Sequence, residues 1–425
     1  MSRRWMSRGY PQATVRRDSR QPFIGLLLAL MAGSAQAEVH NIDATFEPDF
    51  SNPRKNQFKN QTPSEGFCRQ LPATCEALGL FSLIAHIPFV ANVPIAANHT
   101  DPRRGGMAKV PSDWKDVIVT HASGDQQRVE LRIAGIGHEA GFPLSVRQLT
   151  GNGWWDDLWE GGAWSYAPSP CLGVGTYSAG EHSYNSFWRV PEGAGACAKK
   201  ALFDIPPGMN YQYFVYAYEL RTPDPLKMEA GSYTGSIDYT VGPNMDFDMG
   251  DALLPSDSML TLNFNLKVTH TMKVDIPPGG NRVVLEPVGG WQSWLNQGRK
   301  PTRLMRDQTF NISASSRFKM TMQCQYASAN NCALWNSSAG HSVPLEVSVT
   351  LPNGLTDGAG QAVNRRRLLR DGTGTELFQP EFYLDRKVGT LHFEVPRDAV
   401  DGMLQEGIAR SYSGNVTVVW DSEVG

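Results

Sequence analysis

The run LTLNFNLKV, Leu260 to Val268, alternates apolar and polar residues without a break. Leu260, Leu262, Phe264, Leu266 and Val268 point one way, and Thr261, Asn263, Asn265 and Lys267 the other. A period of two fits a half-buried strand and does not fit a helix. VPLEVSVTL (343–351) repeats the pattern, and RVELRI, TLHFEV and NVTVVW are shorter versions of it. Pro206-Pro207-Gly208, Pro277-Pro278-Gly279 and Asn353-Gly354 punctuate these runs as turns. Helical periodicity is scarce. Its best stretch, Cys68 to Ile84, is interrupted by Pro72. Short alternating strands with Gly/Pro turns predict an all-β chain of immunoglobulin-like β-sandwiches.

An internal repeat predicts two of them. GSYTGSIDYTV starts at Gly231 and RSYSGNVTVVW at Arg410, each reading Ser-Tyr-(Ser/Thr)-Gly-x-(Ile/Val) before an alternating strand. The Pro/Gly cluster from Asp275 to Asn281 then marks the boundary, giving domains 38–275 and 279–425. The second domain offers about six strand runs: Arg282 to Leu285, Gln308 to Ala314, Phe318 to Gln323, Val343 to Leu351, Gly389 to Val395 and Asn415 to Trp420. A complete sandwich of this type needs roughly seven. The expectation is an incomplete C-terminal sandwich, ending on an apolar strand whose Val416, Val418 and Trp420 border an open groove.

Residues 1–37 read as a secretion signal, with six arginines, the apolar core FIGLLLALMAG and the small-x-small site Ala35-Gln36-Ala37 before Glu38. That core is too short to span a bilayer, which takes about 20 residues. Removing the leader takes away a net charge of +5 and leaves about −8, which disfavours a nucleic-acid partner. In an exported chain six cysteines read as disulfides. Locality alone, among fifteen connectivities, selects Cys68–Cys75, Cys171–Cys197 and Cys324–Cys332. No C-x-x-C pair or nearby His doublet supports zinc.

The densest chemistry lies in GNGWWDDLWEGGAWSY, 151–166, with Trp154, Trp155, Trp159 and Trp164. Trp faces stack on sugar rings while acidic and amide groups take hydroxyls. The same residues also fill cores, and Asp157 with Glu160 suits a glycosidase pair. NMDFDMGD (244–251) misses the EF-hand spacing, with glycine one place late and Pro255 where glutamate belongs. His138-Glu139 lacks a second histidine, and GTYSAG around Ser178 lacks the nucleophile-elbow spacing. The chain is therefore expected not to be an enzyme and to need no metal or cofactor. NRRRLLRDG (364–372) reads as a solvated basic loop.

KVDIPPGGNRVVLEPVGGW (273–291), the closing GTLHFEV and YSGNVTVVWDS, and MEAGSYTGSIDYTVG (228–242) resemble the two-domain tip adhesins of chaperone–usher pili, of the colonisation-factor and cable-pilus initiator type. The likeness is one of pattern and order over some 200 residues of the chain. It implies a distal adhesin domain that binds a host receptor such as a glycan. It implies a pilin domain whose groove is filled first by a periplasmic chaperone, then, at an outer-membrane usher, by the donor strand of a major pilin subunit. The protein would be exported through the periplasm to the pilus tip. EVHNIDATF (38–46) also alternates and would suit a donor extension, making the chain an internal subunit; the large N-terminal domain favours the tip. In such adhesins a basic patch precedes the Gly-x-Tyr strand. Here ELRTPDPLKMEAGSY supplies only Arg221 and Lys227, so these two join Trp154, Trp155 and Trp159 as receptor candidates and the receptor type does not carry over. The alternative is a secreted two-domain lectin or carbohydrate-active enzyme using the loop 151–166.

Overall fold

The computed structural model describes residues 37–49, 51–162, 164–405 and 411–422. The leader expected over the first 37 residues lies, up to residue 36, outside them. The chain is all-β, and its principal strands are β1 (Glu38–Phe46), β2 (Phe81–Ala85), β3 (Lys115–His121), β4 (Gln126–Gly141), β5 (Leu172–Ala179), β6 (Ser183–Arg189), β7 (Asn210–Arg221), β8 (Gly231–Thr240), β9 (Met259–Val268), β10 (Met272–Asp275), β11 (Leu304–Ala314), β12 (Lys319–Cys324), β13 (Asn331–Asn336), β14 (His341–Thr350), β15 (Leu384–Val395) and β16 (Val416–Asp421).

In the first half one sheet runs β7-β4-β3-β8-β9-β1, with β2 on β7, and β6 joining β4 to β5. Ladders are antiparallel except β1 on β9, which is parallel from Glu38↔Leu260 to Phe46↔Val268. The sheet curls until its ends meet: His40 Nδ1 on β1 lies 2.6 Å from Tyr216 OH on β7. The alternation in β9 puts Leu260, Leu262, Phe264, Leu266 and Val268 into the enclosed core. Strand β4 is buried on nearly every residue from Leu131 to Ala140, because both of its faces are covered. Helices α1 (Gly66–Gln70) and α2 (Pro72–Leu78) form that second cover, setting Phe67, Cys68 and Cys75 on Ala134, Phe187 and Ala217. Pro72 is the first residue of α2, where its missing N–H costs nothing. The expected helical stretch is thus two short helices, followed by a strand.

The second core is separate, drawn from Leu304 to Val400. One sheet runs β10-β11-β15-β14-β13, and β12 pairs with β16. Because β10 belongs to this sheet, the chain crosses between the cores at Thr269 to Thr271, ahead of the Pro/Gly cluster. Arg282 to Leu285 is not a strand: Val283 and Leu285 pack on the second core without a ladder partner. The disulfides are Cys68–Cys75, Cys171–Cys197 and Cys324–Cys332, with Cα separations of 5.5, 5.9 and 5.3 Å, all in the range a bridge spans without backbone movement.

Candidate functional site

The tryptophan loop follows α3 (Val146–Thr150), whose N-terminus carries a capping box of Ser145 and Gln148. It emerges beyond Gly141 of β4, while Gln126 at the other end of β4 pairs through β3 toward Gly231 and Val268. The loop therefore sits at the end of the first sandwich away from the crossing to the second. Most of it faces inward. Trp159 is completely buried and its Nε1 donates to Tyr184 OH at 3.0 Å. Trp155 is buried against Phe142, with Nε1 donating to the Gly180 carbonyl at 2.9 Å. Trp164 lies edge-on to Trp159 and stacked on Trp188. Gly106 passes so close to Trp164 that a Cβ there would sit 2.4 Å from the ring, which only glycine avoids. Lys199, buried, donates to the Gly162 carbonyl at 2.7 Å and holds the loop down; burial lowers its ammonium to about 8.

Trp155 and Trp159 are therefore core residues, and as receptor contacts these two assignments are corrected. Buried polar partners took their indole N–H groups inside. Trp154, 66% exposed, and Tyr166, 63% exposed, are the loop's aromatic groups open to solvent. We predict that Trp159→Ala costs about 3–5 kcal/mol, while Trp154→Ala changes stability by under about 0.5 kcal/mol, as read by urea denaturation.

Asp157 and Glu160 do not form a pair. Asp157 accepts from Asn152, and Glu160 is bridged to Lys200 at 3.0 Å.

Arg221 and Lys227 lie at the opposite end of the sandwich from Trp154. The Arg221 guanidinium stacks 3.8 Å from the Trp114 ring centroid. It lines a cleft of about 540 Å³ with Phe58, Asn60, Phe81 and Asp224. Lys227 is exposed and loosely paired with Asp224 at 3.8 Å. The structure does not gather the five receptor candidates into one site.

The acidic loop 244–251 is neutralised by cations of the protein itself. Arg103 forks onto Asp248 (2.8 Å) and Asp251 (2.6 Å), and Lys115 holds Asp246 at 2.9 Å. Among the described residues no group of His, Cys, Asp and Glu side chains is placed to hold a metal ion. In the basic run, Arg366 and Arg367 each meet a carboxylate, Asp357 and Glu346, at 2.7 Å. No helix among the described residues is long and apolar enough to cross a membrane.

The groove candidates lie on β16. Its ladder with β12 sets Cys324 opposite Val416, Met322 opposite Val418 and Met320 opposite Trp420. The other edge of β16 has no ladder partner among the described residues. The repeat supplies the comparison. Its counterpart in the repeat is β8 of the first sandwich, which has β3 on one edge and β9 along all of the other. Tyr239 and Val241 are buried there, whereas the matching Val418 and Trp420 are only half-buried. Tyr233 is paired in the β8 ladder, while Tyr412 lies before β16, outside any strand.

Sequence reasoning weighed His138 only as half of a zinc-protease pair and missed its burial. It lies in the first core, stacked on Tyr211 with centroids 3.8 Å apart and edge-on to Trp164. Neither ring nitrogen has a hydrogen-bond partner, and burial pushes its pKa down to about 3.

No protein-family model matches the chain, and no curated protein matches its sequence. Two solved structures show a distant likeness. One is a chaperone–tip adhesin complex described as vital for synergistic activation of CFA/I fimbriae biogenesis: 9% identity, 91% of this chain and 97% of that chain covered, TM-score 0.24. The other is the CsuC-CsuE chaperone–tip adhesion subunit pre-assembly complex from archaic chaperone–usher Csu pili of Acinetobacter baumannii: 7% identity, 91% and 98% covered, TM-score 0.22. Scores this low carry no argument for the role of this chain.

Proposed function

We propose that this chain is an adhesin subunit of a chaperone–usher pilus, with a receptor-binding sandwich (38 to about 271) and a donor-strand-accepting sandwich (about 272 to 425). The observation that carries the reading is the edge of β16 that has no ladder partner among the described residues, beside half-buried Val416, Val418 and Trp420. An open edge over apolar side chains invites a strand from another chain, through main-chain bonds and alternate side chains in pockets. A periplasmic chaperone fills it before the usher step, and a major pilin's strand afterwards. In the first sandwich β1 already lies in its own sheet, with Ile42, Ala44 and Phe46 buried, which favours the tip over an internal position. Trp154 offers the receptor, a glycan in this reading, an exposed indole face at the far end.

The test is to export residues 38–271 and 272–425 separately to a periplasm. The first is expected to melt in one sharp transition and the second to aggregate or be degraded. A sharp independent melt for 272–425 sinks the donor-strand reading. The receptor arm is read on 38–271 with an immobilised-glycan array, where Trp154→Ala should abolish a signal that the parent protein gives.

A further inference from the structure

We propose that removal of the leader before Glu38 leaves an N-terminus, Glu38-Val39-His40, that chelates one Cu(II) or Ni(II) ion. The proposal rests on the export reading, since it needs a free α-amine on Glu38. An amine followed by two amides and then an imidazole is a complete set of nitrogen donors in three residues. The Glu38 amine, the deprotonated amide nitrogens of Val39 and His40, and His40 Nδ1 close fused chelate rings in a square plane. That geometry selects Cu(II) and Ni(II) over tetrahedral Zn(II). Each amide gives up its proton to solvent as its metal bond forms, so uptake strengthens as pH rises. No cluster of side chains is required, in keeping with the lack of one among the described residues.

The fold places this tripeptide where it can respond. Strand β1 starts at Glu38, and Val39 is 52% exposed. Among the described residues the outer edge of β1 is paired only at Ala44 and Thr45, by the short strand Lys59–Asn60, and no ladder covers residues 38–40 on that side. On the inner side they pair with Leu260, Thr261 and Leu262. Chelation must lift them from β9 and take His40 Nδ1 from Tyr216 OH, now at 2.6 Å. It also releases the Glu38 carboxylate from the His86 backbone N–H, at 3.2 Å. The rest of β1 stays anchored by Ile42, Ala44 and Phe46, all buried in the core. Metal uptake is thus a local fraying of a strand end, which needs no opening of the sandwich.

The experiment begins with the intact mass of the exported protein, followed by titration with copper chloride and visible spectroscopy. A chain starting at Glu38 should take up one equivalent of Cu(II) and show the violet band of a square-planar nitrogen centre. His40→Ala should lose the band. So should a form retaining Ala37, in which histidine moves one place too far from the amine. A Glu38 chain that stays colourless at one equivalent overturns the chelate while leaving the export reading intact. A mass showing another first residue overturns the proposal for the exported protein. A chain given Glu38 as its first residue by tag removal then reads the chelate alone.

Discussion

A strand appended to the C-terminus, carrying the alternation LTLNFNLKV behind a Gly/Ser linker, is expected to raise the melting temperature of the second sandwich by roughly 10–20 °C. The template is internal. In the first sandwich that strand, β9, buries Leu260, Leu262, Phe264, Leu266 and Val268 beside β8, the repeat counterpart of β16. Burying each such side chain contributes about 1.5–3 kcal/mol. Ordering each residue of the added strand costs about 1–2 kcal/mol. The new main-chain ladder adds about 0.5–1.5 kcal/mol per hydrogen bond. Together the two gains exceed the ordering cost by about 5 kcal/mol, and each kcal/mol raises the melting temperature by about 2–4 °C for a domain of this size. Differential scanning calorimetry of the mature chain with and without the strand reads the shift. A control strand with serine at the five apolar positions should give none. An equal shift from the serine strand would mean that the groove does not select apolar side chains.

Acidification from pH 6.5 to 4.5 should weaken the first sandwich by roughly 2 kcal/mol through His138 alone, the slope approaching about 1.36 kcal/mol per pH unit as the pH falls. Burial holds the native imidazole neutral down to about pH 3, against 6.5 in the unfolded chain. Above pH 6.5 both states are neutral and the residue is silent. Below it the unfolded state gains a proton that the native state refuses, so stability falls with pH until about 3. Half-buried His270, whose pKa is also lowered by desolvation, adds in the same direction. Carboxylates held below their usual range, such as Glu38, Asp125 and Asp246, add in the same direction only as the pH falls below about 5. His138→Phe keeps a flat ring against Tyr211 and Trp164 and should flatten the profile by that amount in urea titrations. An unchanged slope would mean that the imidazole is hydrated in the native state.

The strands were legible because alternation is a local property, and LTLNFNLKV and VPLEVSVTL lie in ladders as read. Arg282 to Leu285 carries too brief an apolar pattern to distinguish a ladder strand from extended chain lying on a core, since the deciding partner is distant in sequence. The repeat matched Tyr233 to Tyr412, yet only the first is in a ladder, because β9 supplies the neighbour that Tyr412 lacks. Four tryptophans in one loop announced an aromatic cluster. Which of them faces solvent depends on Tyr184, Gly180 and Trp188, more than twenty residues further along the chain. His138 sits where β4 is covered on both faces, and there the period-two signal vanishes.

The parallel docking of β1 on β9 has a mechanical meaning. β9 is the strand through which the first sandwich hands the chain to the second. It is gripped along its length by β8 on one edge and β1 on the other. In the proposed adhesin role, a pull between a receptor at the Trp154 end and an anchor on the second sandwich would load β9 lengthwise. The ladder bonds on both edges then share the load in shear, so the strand resists as a unit and does not unzip one bond at a time.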